Sequence, residues 1–106
     1  MRLRDLAHAR TGDKGDTSNI SVIAYDPGDY AFLAEHVTTQ AVAAHFRDVV
    51  RGQVERYELP GIGALNFVLH NTLGGGVTRS LALDAHGKSL SSCLLEMELP
   101  DPQKPR

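Results

Sequence analysis

Apolar positions along this 106-residue chain follow two periods. Residues 18–25, Ser-Asn-Ile-Ser-Val-Ile-Ala-Tyr, are β-branched and nearly continuous in apolar character. Ile20, Val22 and Ala24 face one way and Ile23 and Tyr25 the other, which predicts a strand inside a sheet. Residues 3–9, with Leu3, Leu6 and Ala7, read as a shorter strand before it. The period then changes. After the turn Asp26-Pro27-Gly28-Asp29, residues Tyr30, Leu33 and Val37 share one face of a short helix. Thr38 is placed to cap a second helix, in which Val42, Phe46, Val49 and Val50 fall at i, i+4, i+7 and i+8. Gly52 follows as a left-handed C′ residue would. Residues 53–59 return to a strand. Its Gln53, Glu55, Arg56 and Glu58 place it at an edge or with one side in water.

The second half is less regular. Leu59-Pro60-Gly61-Ile62-Gly63 breaks the chain. Residues 64–73 fit both periods: Asn66-Phe67-Val68-Leu69 suits a buried strand, whereas Leu65, Val68, Leu69, Thr72 and Leu73 suit a helix capped by Gly74. The helix is the favoured reading. Gly74-Gly75-Gly76 leads into two strands, 77–83 and 88–99, joined by Asp84-Ala85-His86-Gly87. Cys93, Leu95, Met97 and Leu99 alternate there with polar residues. Residues 100–106 hold three prolines in seven and read as a loose tail. The predicted order is β-β-α-β-α-β-β over a single domain, residues 1–99. The class is α+β: a small antiparallel or mixed sheet with helices on one face.

Charge narrows the function classes. Eleven Lys and Arg stand against 13 Asp and Glu, a net charge of −2, which argues against nucleic acid as a partner. No apolar run is long enough to span a membrane, and the first residues lack the apolar stretch of a signal peptide. Cys93 is the single cysteine and reads as a core thiol. A cytoplasmic location is expected. The five histidines form no His-x-x-x-His pair and no Cys-x-x-Cys accompanies them, so a structural zinc site is not expected. Asp13 and Asp16 could hold a hard cation but do not match a calcium loop, and neither a metal nor another cofactor is expected.

The candidate chemistry gathers in residues 10–19, Arg-Thr-Gly-Asp-Lys-Gly-Asp-Thr-Ser-Asn. This stretch reads as a polar loop longer than a hairpin turn. Gly12 and Gly15 are expected to free its backbone and form an anion-binding nest beside Arg10 and Lys14. Asp13, Asp16, Thr17 and Asn19 would order the loop or touch polar substrate groups; alternatively they only bond to local backbone, as turn residues do. Gly74 and Gly75 would admit a ligand closely, or merely stop a helix. His8 and His70 are candidates for a general acid or base, with a surface or structural role as the alternative.

These residues resemble a known family. The run Leu6-Ala7-His8-Ala9-Arg10-Thr11-Gly12-Asp13-Lys14-Gly15-Asp16-Thr17-Ser18-Asn19 is similar to the signature of the C-terminal domain of acyclic terpene utilisation protein A, AtuA. So are Val54-Glu55-Arg56-Tyr57-Glu58-Leu59-Pro60, Ala64 to His70, Leu73-Gly74-Gly75-Gly76, and Asp84 with Gly87-Lys88. The resemblance covers residues 3–98. It implies a ferredoxin-like fold and a part in bacterial breakdown of acyclic terpenes or related acyl-CoA pathways. Family members usually carry a large N-terminal domain in the same polypeptide. That implies an AtuA-type large chain as partner here, with this chain as a small subunit.

Three functions follow as expectations. The first is a small subunit or accessory domain whose 10–19 loop helps bind an acyl-CoA or other small anionic ligand. The second is a free-standing acyl-CoA hydratase or lyase using His8 or His70, with the loop as an oxyanion or phosphate site. The third is a non-catalytic module that forms homo-oligomers through the edge of residues 54–59.

Overall fold

The computed structural model describes residues 1–14, 17–47, 52–70 and 90–101, with Asp13 and Lys14 described by their backbone alone. Four strands form one antiparallel sheet: β1 (Ala7–Lys14), β2 (Thr17–Ala24), β3 (Val54–Leu59) and β4 (Ala64–His70). Their spatial order is β1-β2-β4-β3. Between β2 and β3 run α1 (Tyr30–His36) and α2 (Thr39–His45), and α3 (Leu90–Leu94) lies near the C-terminus. Within the described residues the order is therefore β-β-α-α-β-β-α. The α+β class expected from the sequence is the class observed.

Alternation explains the layers. On β2, Ser18, Ile20, Val22 and Ala24 are buried while the residues between them are not. Their partners in register on β4 include Phe67 opposite Ile20 and Leu65 opposite Val22. These inward residues join Leu33 of α1 and Val37 just after it, Val42 and Phe46 at α2, and Leu90 and Leu94 of α3 in one core. Among the described residues, helices cover one face of the sheet only. The C-terminal segment closes the core beside the N-terminus. Leu3 N–H donates to Met97 O at 2.9 Å, and Arg4 N–H to Leu95 O at 3.0 Å. Asp101, in the expected tail, accepts from the Met1 ammonium at 3.1 Å.

Helix ends and turns follow local chemistry. Thr38 caps α2 as expected, its hydroxyl accepting from Ala41 N–H at 3.1 Å. Val49 and Val50 lie outside the described residues. Asp26 accepts from Gly28 N–H at 2.9 Å, which sets the turn after β2. Before β4, Gly63 takes φ +64°, a left-handed conformation that other residues adopt at a cost.

Four expectations are corrected. The first strand begins at Ala7, not Leu3, because Leu3–Asp5 form a 3-10 turn whose Leu3 is buried against the C-terminal segment. Residues 10–14 and 17–19 are strand, not loop, with Lys14 opposite Thr17. Residues 64–70 are strand β4, not helix. Leu65, Phe67 and Leu69 are buried at period two, and pairing with both β2 and β3 makes the strand interior. Finally, 90–94 is a helix inside the expected strand 88–99, because Leu90, Ser91 and Leu94 bury at helical spacing. The expected strand 77–83, the glycines 74–76 and His86 lie outside the described residues.

Candidate functional site

The face that no described helix covers collects the polar residues that the sequence spreads over three segments. Register places them in rows across the strands. Arg10, Ser21, Asn66 and Tyr57 make one row; Gly12, Asn19, Val68 and Glu55 make the next. Thr17 and His70 stand opposite each other one step toward the β1–β2 tip, with Lys14 at the corresponding position of β1. At the other end His8 stacks on Tyr25, ring centroids 5.5 Å apart and planes 26° apart.

Hydrogen bonds tie the centre of this face together. Ser21 Oγ donates to Asn66 Oδ1 at 3.1 Å, linking β2 to β4. Tyr57 O–H donates to Glu55 Oε1 at 2.6 Å. His70 Nε2 lies 3.2 Å from Glu55 Oε2, so a bond to the carboxylate requires the proton on Nε2 and leaves Nδ1 as acceptor. Among the described residues, the exposed guanidinium of Arg10 has no carboxylate partner.

Glu55 is held below the usual carboxylate range, first by the Tyr57 hydroxyl and then by the His70 bond. The same carboxylate pushes the Tyr57 hydroxyl up. The signs give opposite limits. The depressed Glu55 contributes stability above its ordinary value near 4.5 and loses it as pH falls through its lower folded value. The raised Tyr57 contributes below its ordinary value near 10.0 and loses it as pH rises through its higher folded value. Denaturant titrations of Glu55→Gln and the parent are therefore expected to converge at acid pH and separate above pH about 4.5. Parallel curves across acid pH would contradict the pairing.

The site residues expected from the sequence are only partly brought together. Arg10, Gly12, Thr17 and Asn19 share the open face, while the Asp13 backbone pairs with Ser18. Gly15, Asp16, Gly74 and Gly75 lie outside the described residues. Gly12 does not serve an unusual backbone conformation, since it sits in β1 without a positive φ. Its missing Cβ leaves room across the strands: one built there would come within 3.1 Å of Asn19 Oδ1. Among the described residues, no group of three His, Cys, Asp or Glu could hold a metal ion.

Sequence reasoning missed Ser21, Asn66, Glu55 and Tyr57 as members of the site. The usable signal was parity on residues 54–59: Glu55, Tyr57 and Leu59 fall on one side, Val54, Arg56 and Glu58 on the other. Arg56 turns toward the helices. Its Nη1 donates to Ala34 O at 2.6 Å and Val37 O at 3.0 Å, capping the end of α1.

With this geometry in view, the comparisons with known proteins are decisive for the family. Residues 1–100 match the family model described as the AtuA ferredoxin-like domain. The chain belongs to this family. No curated protein and no solved structure gave a match. In this AtuA ferredoxin-like domain the long polar signature, Leu6 to Asn19, maps onto β1, β2 and their connection. It supplies Arg10, Gly12, Thr17 and Asn19 to the open face. No described helix is long and apolar enough to cross a membrane.

Proposed function

We propose that this domain is the accessory domain or small subunit of an AtuA-type assembly acting on acyclic terpene or acyl-CoA substrates. Its open sheet face lies against a large AtuA-type partner. There β1 and β2 supply charge and hydrogen bonds to an anionic substrate. The carrying observation is the asymmetry of the sheet: one face is closed by helices, while the other presents Arg10 beside Asn19, Ser21 and Asn66. A guanidinium with no carboxylate partner among the described residues, set among amide and hydroxyl groups, suits a phosphate or carboxylate, which it can hold through two parallel N–H donors. No pocket is required within the domain alone, because the partner supplies the opposite wall.

A second reading has the Glu55–His70 contact behind it. A carboxylate that fixes an imidazole tautomer is how many proton-transfer sites orient their base. In that reading His70 acts as acid or base on the acyl-CoA.

The test is acyl-CoA binding by calorimetry to the domain co-purified with an AtuA-type large chain. Arg10→Glu is expected to weaken binding about tenfold or more, the loss of one charge-assisted hydrogen-bonding group. It should leave the thermal midpoint nearly unchanged, since the side chain is exposed. Unchanged affinity would exclude Arg10 from the substrate site. Turnover lost in His70→Gln with binding intact would favour the second reading.

A further inference from the structure

Three of the four large hydrophobic residues exposed among the described ones lie on β3 or the turn after it: Tyr57 at 50%, Leu59 at 42% and Ile62 at 67%. β3 is also the edge of the described sheet. An exposed edge strand carrying apolar side chains is a template for pairing, and proteins that need it unpaired blunt it with bulges or inward charges. β3 has one inward charge, Arg56, and its own chain already holds it at Ala34 O, Val37 O and Glu58.

The direction of the backbone groups follows from the ladder. His70 N–H donates to Gln53 O at 3.0 Å, so by alternation Glu55, Tyr57 and Leu59 bond to β4. Val54, Arg56 and Glu58 turn their N–H and C=O groups outward. Two copies of β3 can pair antiparallel about a two-fold axis perpendicular to the sheet. At the centre of the strand the axis can pass Arg56, Tyr57 or Glu58. The first choice sets Arg56 against the partner's Arg56, and the last sets Glu58 against the partner's Glu58; like charges directly opposite destabilise a sheet. The middle choice sets Arg56 against the partner's Glu58 twice. It also sets Tyr57 against the partner's Tyr57, and Leu59 beside the partner's Glu55. The outward residues 56 and 58 then fall in hydrogen-bonded pairs, as the ladder requires. Pro60, opposite the partner's Val54, lacks an N–H and starts a 3-10 turn in which its carbonyl accepts from Gly63 N–H at 3.1 Å, so the ladder ends there.

We propose that β3 is the seam of a homodimer, joining the four described strands of each copy into one continuous sheet with Tyr57 on the two-fold axis. Charge complementarity selects a second copy of this chain as the occupant of the edge. The seam runs along the side of the sheet and leaves the open face available, so the proposal stands or falls separately from the function above.

The test uses the full chain with Cys93→Ser to remove the native thiol. Sedimentation equilibrium is expected to show a monomer–dimer equilibrium, and Glu58→Arg to weaken it about tenfold or more by placing like charges opposite twice. Tyr57→Cys, at a non-hydrogen-bonded pair with Cα atoms about 4.5 Å apart, should oxidise to a disulfide-linked dimer. Glu55→Cys should not, because its opposite residue is the partner's Leu59. A chain that stays monomeric at every concentration overturns the proposal. So does a dimer that fails to cross-link at position 57, or that links equally at position 55.

Discussion

Phe67→Ala is expected to cost about 3–5 kcal/mol, the range for truncating a buried aromatic ring. Phe67 is fully buried at the centre of β4, opposite Ile20 on β2 and Arg56 on β3. The ring therefore touches the core from the middle of the sheet, where neighbours on both sides resist collapse into the cavity. Val68→Ala, one residue on and on the open face, should cost under about 1 kcal/mol. The contrast is specific to a strand. A helix with Leu65, Val68 and Leu69 inward would make Val68 the sensitive position and Phe67 the tolerant one. Urea denaturation of both variants checks it. Each kcal/mol should also move the thermal midpoint by about 4–8 °C in a domain of this size.

Arg56→Ala should cost about 2–4 kcal/mol. The guanidinium is mostly buried and gives two hydrogen bonds to the last carbonyls of α1. Removing it takes away charge-assisted bonds and leaves two acceptors short of a donor. It also removes a cation from a helix C-terminus. Arg56→Lys should recover only part of this, because an ammonium cannot reproduce the planar fork. Glu58→Ala is the control. Its pair with Arg56, at 2.7 Å, is exposed on the Glu58 side, and its loss should stay within about 0.5–1 kcal/mol. The comparison belongs at low protein concentration, where any dimer contributes little to apparent stability. Equal losses for Arg56→Ala and Glu58→Ala would mean that the ion pair, not the helix cap, matters.

Much of this architecture was legible before the structure. The β2 pattern marked an interior strand, Thr38 marked the start of α2, and the polar mixture of 53–59 marked an edge. What was misread has a common cause. A short segment with few residues per face leaves its period under-determined. Residues 64–70 carry apolar side chains that satisfy both periods, and only pairing on two sides selects the strand. In 90–94 five residues make a helix too short to outweigh the alternation that continues through Met97 and Leu99. The polar run 10–19 looked like a loop because its outward residues face water. Thr11, turned inward, instead accepts Ser91 N–H at 2.8 Å, and Ser18 is buried. The motif that marked the family was thus misread in shape: it is strand where a loop was expected. Arg10, Thr17 and Asn19 belong to a sheet face, and the face recruits Ser21, Asn66, Glu55 and Tyr57 from strands that no local motif connects to them.

The central claim is that this open face is covered by an AtuA-type large chain. Hydroxyl-radical footprinting of the domain, alone and in complex with that chain, tests it most directly. Tyr25 and His8 report on the face and lie away from the β3 edge, so homodimer formation does not confound them. Phe32, on α1 behind the sheet, is the control. The account predicts that oxidation of Tyr25 and His8 falls strongly in the complex while Phe32 is unchanged. Protection of Phe32 with Tyr25 and His8 still fully reactive would contradict it and move the contact to the helical side.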